Sequence, residues 1–170
     1  MIKLHVLHAD IDARVQHIRG AHPDWLCAKG CDACCRQLAR LPQLTATEWQ
    51  LLRPAIAVLP INQFENIRRK MNASAGQTSA PVVCPLLDEA SGACLVYAQR
   101  PIACRTYGFY VQRGIGLYCQ EIKSGDDRGE LADVVWGNQD AVERSLSGLG
   151  DTRALDEWWF SRDIGQSQED

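Results

Sequence analysis

Four cysteines lie within nine residues of this chain, in the run Cys27-Ala-Lys-Gly-Cys31-Asp-Ala-Cys34-Cys35. A cysteine on its own is often a small buried hydrophobe. That role does not explain this run, because polar Lys29 and Asp32 interleave the thiols and no apolar periodicity passes through them. A C-x2-C or C-x3-C loop instead lets two sulfurs approach one cation without straining the backbone. The segment is therefore a candidate metal-binding loop.

The chain has eight cysteines, and the other four follow at wider intervals. Two sets of four thiols match the tetrahedral preference of zinc or the ligand number of an iron–sulfur cluster. Adjacent side chains diverge in helices and strands, so Cys34 and Cys35 are expected to serve different metals or different edges of one polynuclear cluster. Cys119, beside Tyr118 on a predicted strand, is the best candidate for a purely buried cysteine. The candidate ligands are Cys27, Cys31, Cys34, Cys35, Cys84, Cys94, Cys104 and Cys119.

The cellular compartment of the protein determines whether its cysteines are expected to bind metal or to form disulfides. The sequence shows no signal-peptide core and no apolar stretch of membrane-spanning length, so we expect a cytoplasmic protein. Reducing conditions there favour metal-bound thiolates over disulfides. The formal net charge of -3 gives no general attraction to nucleic acid or to an anionic membrane. Metal ions are thus the expected partners.

The roles of the cationic residues and histidines are predicted from how close they lie to the cysteines in the sequence. A zinc ion with four thiolates carries two net negative charges, so cations are expected nearby. The candidates are Lys29, Arg36, Arg100 and Arg105. The four histidines lie upstream and are expected to have surface or core roles.

The hydrophobic pattern predicts an α+β fold, mostly α: a small irregular single domain with one short β-hairpin, organised around a cysteine-rich metal centre. We expect the domain to cover residues 1–164 and a flexible tail to cover 165–170. Four helices are predicted: one from Asp10 to Gly20, one that begins with a capping box at Thr45 and is broken at Pro54, one over 61–71, and one that carries Leu155, Trp158 and Trp159. A loop is predicted over 72–81. A hairpin around Arg113-Gly114 is expected to be the only sheet.

Three segments together resemble the YkgJ-type cysteine-cluster family, whose members are described as zinc- or iron-chelating domains. The resemblance spans about residues 25 to 120 and implies metal binding by all eight cysteines. The segments are Lys29-Gly-Cys31-Asp-Ala-Cys34-Cys35-Arg36, Cys84-Pro85-Leu-Leu-Asp, and Cys94-Leu-Val-Tyr97-Ala-Gln-Arg100-Pro101-Ile-Ala-Cys104-Arg105-Thr-Tyr107-Gly108.

Two functions are compatible with these residues. The first is a metal-binding protein that chelates zinc or iron, mononuclear or polynuclear, for structure, storage or delivery. The second is an iron–sulfur redox or radical-type enzyme, because Cys27-x3-Cys31-x2-Cys34 has the spacing of radical S-adenosylmethionine enzymes. Methyl transfer is suggested only by analogy with flagellin lysine methylases, which resemble the same family. Ala33 departs from the aromatic residue usual before the third cysteine of those enzymes. The metal-binding protein is favoured.

Overall fold

The structure is a computed structural model that describes residues 1–75, 77 and 79–161. Helices dominate it, which confirms the predicted mostly α class of α+β fold. The predicted tail, 165–170, lies outside the described residues. The helices are α1 (Ile2–Ala21), α2 (Ala33–Arg36), α3 (Ala46–Ala57), α4 (Ile61–Ser74), a 3-10 helix (Tyr97–Gln99), α5 (Ile102–Thr106), α6 (Gln120–Asp127), α7 (Gln139–Leu146) and α8 (Leu155–Phe160).

The strands are short and form three small sheets. They are β1 (Gln43–Thr45), β2 (Leu87–Asp88), β3 (Ala93–Cys94), β4 (Tyr110–Gln112), β5 (Ile115–Leu117), β6 (Gly137–Asn138) and β7 (Thr152–Ala154). The predicted hairpin is confirmed as β4–β5, with β6 added parallel to β4. The expectation that it is the only sheet was wrong, since β1 pairs with β7 and β2 with β3. Pairs of two or three residues are too short to show an alternating pattern in the sequence.

Helix α1 begins well before the predicted start. Asp10 lies in its middle, so the proposed cap at that residue was wrong. The buried positions run from Leu4 through His8 and Ile11 to Val15 and Ile18, at helical spacing. Because a histidine occupies the second of these positions, the apolar stripe is harder to recognise from the sequence before Ile11.

The capping box of α3 is confirmed. The Thr45 hydroxyl accepts a hydrogen bond from the Glu48 amide, and the Glu48 carboxylate accepts one from the Thr45 amide at 2.7 Å. The predicted break at Pro54 was wrong, since α3 continues to Ala57. Gln50, whose carbonyl loses its helical partner at Pro54, lies on the exposed face of the helix, where water can satisfy it.

Two hydrophobic cores flank the cysteines. The first joins α3, α4, α8 and the segment before the 3-10 helix; Cys84 is part of it, and Cys35 and Cys94 pack against it. The second joins α1, α5, the β4–β5 hairpin and α7, and Cys27 packs against it. The cysteine run therefore passes from one core to the other. Within the described residues, no helix combines the length and the apolar character needed to span a membrane.

Candidate metal centre

All eight cysteines are free thiols, and they differ in exposure. Cys84 is buried, Cys31 is exposed, and the other six lie between these extremes. The disulfide alternative therefore has no support in the structure. The thiols fall into two groups of four, which differ in their surroundings.

The first group, called the Cys27 group, lines one pocket of about 220 Å³. The loop before α2 supplies Cys27 and Cys31, while α2 itself supplies Cys34. Cys119 completes the set from the N-cap of α6, not from a strand as predicted. The members of the Cys27 group are Cys27, Cys31, Cys34 and Cys119.

The second group, called the Cys35 group, lies against the first hydrophobic core. The Cys84 amide donates a hydrogen bond of 2.7 Å to the Cys35 carbonyl, and the two thiols interact. Cys94 lies on β3 and Cys104 on α5. Cys94 raises the pKa of Cys35 electrostatically, and Cys35 in turn raises the pKa of Cys104. The members of the Cys35 group are Cys35, Cys84, Cys94 and Cys104.

The early and late cysteines do come together, but the division does not follow the sequence. Three of the early cysteines join Cys119, and the fourth, Cys35, joins three of the late ones. The groups meet where the sulfurs of Cys34 and Cys35 are 3.9 Å apart, and Cys34 also acts electrostatically on Cys94 and Cys104, whose pKa values it raises. The eight thiols thus form one continuous cluster with two halves.

Burial and contact with other thiols make Cys27, Cys35 and Cys104 weaker acids than an isolated cysteine. Burial, with the neighbouring thiols of Cys34 and Cys31, raises the pKa of Cys27 to about 12. For Cys35 the contact with Cys34 lowers the pKa, yet the contact with Cys84 and burial outweigh it and raise the pKa to about 12. Burial likewise raises the pKa of Cys104. A bound divalent cation would oppose these effects by stabilising the thiolates.

Arginines supply the positive charge that the protein itself places near the sulfurs. Arg100 lowers the pKa values of Cys94 and Cys104, although burial outweighs it at both thiols. Its guanidinium lies over the Tyr97 ring at 3.8 Å. Arg19, which sequence analysis missed, donates hydrogen bonds of 2.5 and 3.2 Å to the Cys27 carbonyl. Arg19 precedes Cys27 by eight residues and lies on a helix without cysteines, so no local motif linked it to the site.

The other predicted cations hold the cysteine loops in place. Arg36 pairs with Asp32 at 2.6 Å and donates to the Glu89 carbonyl at 3.1 Å, which ties α2 to the β2–β3 turn. Arg105 is buried and binds Asp12 at 3.1 Å. Lys29 lies over the Tyr97 ring at 5.7 Å.

Two further contacts of Arg105 hold the turn before Cys104. Its guanidinium donates to the Arg100 carbonyl at 3.1 Å and also to the Ala98 carbonyl. These bonds fasten the segment between the 3-10 helix and α5, on which Cys104 is carried.

A glycine allows Cys27 to approach the hairpin side of the site. Gly108 has φ of +89°, and a Cβ atom built on it would lie 2.9 Å from the Cys27 sulfur. A side chain at this position would therefore meet both backbone strain and a steric clash. The Cys27 thiol also contacts the Tyr107 carbonyl at 3.7 Å.

The donor set fits a soft or borderline cation such as zinc or iron. Eight sulfurs in two sets of four suit both ions, and the mutual repulsion of thiolates would be relieved by positive charge. Among residues 1–75, 77 and 79–161, no three His, Cys, Asp or Glu side chains stand in an arrangement ready to hold a metal ion. Ligation would thus require the sulfurs of each group to move closer together. The histidines lie apart: His8 is buried in α1, as a core role predicts, and His5 is exposed.

The fold and site define a small α+β protein with a two-part cysteine cluster. A family model described as "putative zinc- or iron-chelating domain", with the signature CxxCxxCC, matches residues 26–128. The chain belongs to this family, which confirms the predicted resemblance. No curated protein and no solved structure matches the chain.

Proposed function

We propose that this chain is an intracellular metal-binding protein that holds zinc or iron through its eight cysteine thiolates, in a structural, storage or delivery role. The observation that carries the proposal is the division of the thiols into two contiguous groups of four. Each group contains the four sulfurs that a tetrahedral site needs. The family match supports chelation of zinc or iron.

The arrangement favours bound thiolates over reactive ones. A nucleophilic cysteine needs a lowered pKa, whereas burial and neighbouring thiols raise the pKa values of Cys27 and Cys104. Binding would release the thiol protons, so cation affinity should increase with pH. Cys119 beside the C-x3-C-x2-C run also supplies a fourth sulfur, which a radical-type cluster with one open iron would not need.

A polynuclear iron–sulfur cluster is the second candidate. The 3.9 Å contact between the Cys34 and Cys35 sulfurs favours it, because it joins the two groups. Such a cluster would have four or more thiolate ligands, and its potential would respond to Arg100 and to burial.

Anaerobic purification followed by elemental analysis, sulfide analysis and an ultraviolet–visible spectrum tests these proposals. Two zinc or iron ions per chain without sulfide support chelation. A brown protein with stoichiometric sulfide supports the cluster. Protein that contains no metal and takes up none on reconstitution under reducing conditions would contradict both.

A further inference from the structure

The two cysteine groups differ in access to solvent. The Cys27 group opens onto the pocket of about 220 Å³ and includes Cys31, the one cysteine of the eight that is exposed. The Cys35 group contains Cys84, which is 6% exposed, and packs against the first core. A molecule from solvent would therefore reach the first group more readily than the second.

The backbone around the two groups differs as well. The Cys84 amide is hydrogen-bonded to the Cys35 carbonyl, and Cys94 is paired with Leu87 in the β2–β3 ladder. Cys31 ends a tight turn, in which its amide donates to the Ala28 carbonyl at 3.0 Å. Gly30, the preceding residue, has φ of +95° and no neighbour that a Cβ atom would meet within 4 Å. Cys31 thus has space on the solvent side that the Cys35 group lacks.

The pocket also selects what can enter it. Leu26, which is 59% exposed, and Ile122 contribute an apolar wall. Glu121 also lines the pocket, and its exposed side chain places a carboxylate at the solvent side. The volume is below that of a drug-sized ligand site. A small neutral molecule is favoured by this lining, while an anion would meet a like charge.

We propose that the Cys27 group gives up its cation to a small neutral thiol that enters this pocket, with Cys31 as the first ligand that leaves, while the Cys35 group releases its cation more slowly. This inference rests on the proposed function. The incoming thiol loses its proton and binds the cation, while the bond from Cys31 breaks and Cys31 takes up that proton. Further thiol molecules displace Cys27, Cys34 and Cys119 in the same way, and the cation leaves as a complex with the incoming thiolates. No electrons are transferred, so no oxidant or reductant is needed.

The test uses the full chain loaded with zinc alone and a chromophoric acceptor, 4-(2-pyridylazo)resorcinol, which reports released zinc. We expect two phases of equal amplitude, one for each group. Neutral 2-mercaptoethanol should accelerate the fast phase about tenfold more than the similarly small anion 3-mercaptopropionate, which is the effect of one like charge at the rim. Mass spectrometry of the zinc-loaded protein after brief N-ethylmaleimide treatment should find Cys31 labelled first.

Variants identify the pocket. Leu26→Trp should narrow it and slow the fast phase only, whereas Val58→Trp, at a position that is 82% exposed and outside the pocket, should leave both phases unchanged. Glu121→Gln removes the rim charge and should bring the rate with 3-mercaptopropionate close to that with 2-mercaptoethanol.

Failure of the inference is distinguishable from failure of the proposed function. A chain that binds no zinc overturns the proposed function. A chain that binds zinc but releases it in one phase, that responds equally to both thiols, or that is labelled first at Cys84 or Cys104, overturns only the exchange inference.

Discussion

Cys34 and Cys35 are neighbours in α2, yet their side chains belong to different halves of the thiol cluster while their sulfurs remain 3.9 Å apart. Cys34 lines the solvent-facing pocket, and Cys35 packs against the buried core. A four-residue helix thus connects the two halves, and because the two sulfurs are in contact, the effects of changes at Cys34 and Cys35 should not be simply additive.

Cys35→Ser and Cys31→Ser are expected to have different effects on stability. Each variant should lose about one of two bound cations, because each group needs all four sulfurs for a tetrahedral site. The loss of a ligand present at a hundredfold excess over its Kd lowers the free energy of unfolding by about 3 kcal/mol. Elemental analysis and thermal melting check the prediction.

Cys35→Ser should lower the melting temperature more than Cys31→Ser, because it also places a hydroxyl against the first hydrophobic core. Unchanged metal content and unchanged melting temperature in both variants would refute the assignment of the ligands.

Gly108→Ala should impair the Cys27 group specifically. Strain at φ of +89° destabilises an alanine by about 1–3 kcal/mol, and the new Cβ would displace the Cys27 sulfur. Gly114→Ala is the matched control, because Gly114 has φ of +79° but a Cβ atom added there would meet no other atom within 4 Å. Both variants should lose stability in chemical denaturation, but only Gly108→Ala should lose metal. Equal metal content in the two would count against the contact.

Glu48→Gln should destabilise the α3–α5 junction that supports Cys104. The buried Glu48 carboxylate accepts from the Thr45 amide and hydroxyl through one oxygen and from the Ile102 amide at 2.8 Å through the other. An amide has only one acceptor oxygen, so a buried donor would be left unpaired at a cost of about 1–3 kcal/mol. Urea denaturation measures the change in the free energy of unfolding.

Glu157→Gln is the control for this variant. Glu157 accepts one hydrogen bond, from the Ala154 amide, at an exposed site, so its replacement should change stability by less than about 1 kcal/mol. If Glu157→Gln lowered the free energy of unfolding as much as Glu48→Gln does, the burial of Glu48 would not explain its effect.

His8 should make stability depend on pH. Burial, followed by the charge of Arg105, lowers the pKa of His8 from 6.5 to about 4. The folded state therefore favours the neutral imidazole. This contribution is fully present above pH 6.5 and is lost as the pH falls from 6.5 towards 4, by up to about 3 kcal/mol. Asp12 opposes the shift, while His5 and Arg100 add to it.

The pH prediction is measured as the difference between the wild type and a His8→Leu variant, so that thiol and cation effects common to both cancel. The wild type should lose stability relative to the variant between pH 6.5 and 4. His17→Leu, at an exposed position of the same helix, should show the wild-type dependence. A parallel pH profile for wild type and His8→Leu would contradict the prediction.

Local patterns in the sequence predicted the elements that depend on neighbouring residues. The capping box at Thr45, the helix from Ile61, the hairpin turn at Arg113-Gly114 and the helix of Leu155 and Trp158 all rest on short-range spacing, and all are present. The cysteine count and the dense run predicted chelation in the same way. Their assignment as ligands stays a prediction.

Tertiary structure decided what depends on distant residues. The β1–β7 sheet pairs Leu44 with Arg153, and such short pairings leave no periodic signal. The division of the thiols arises because α2 turns Cys35 towards Cys84 and Cys34 towards Cys119. The sequence by itself determined that eight thiols would be available to a cation. Only packing determined which thiols lie together, since that depends on loop closures that no local pattern specifies.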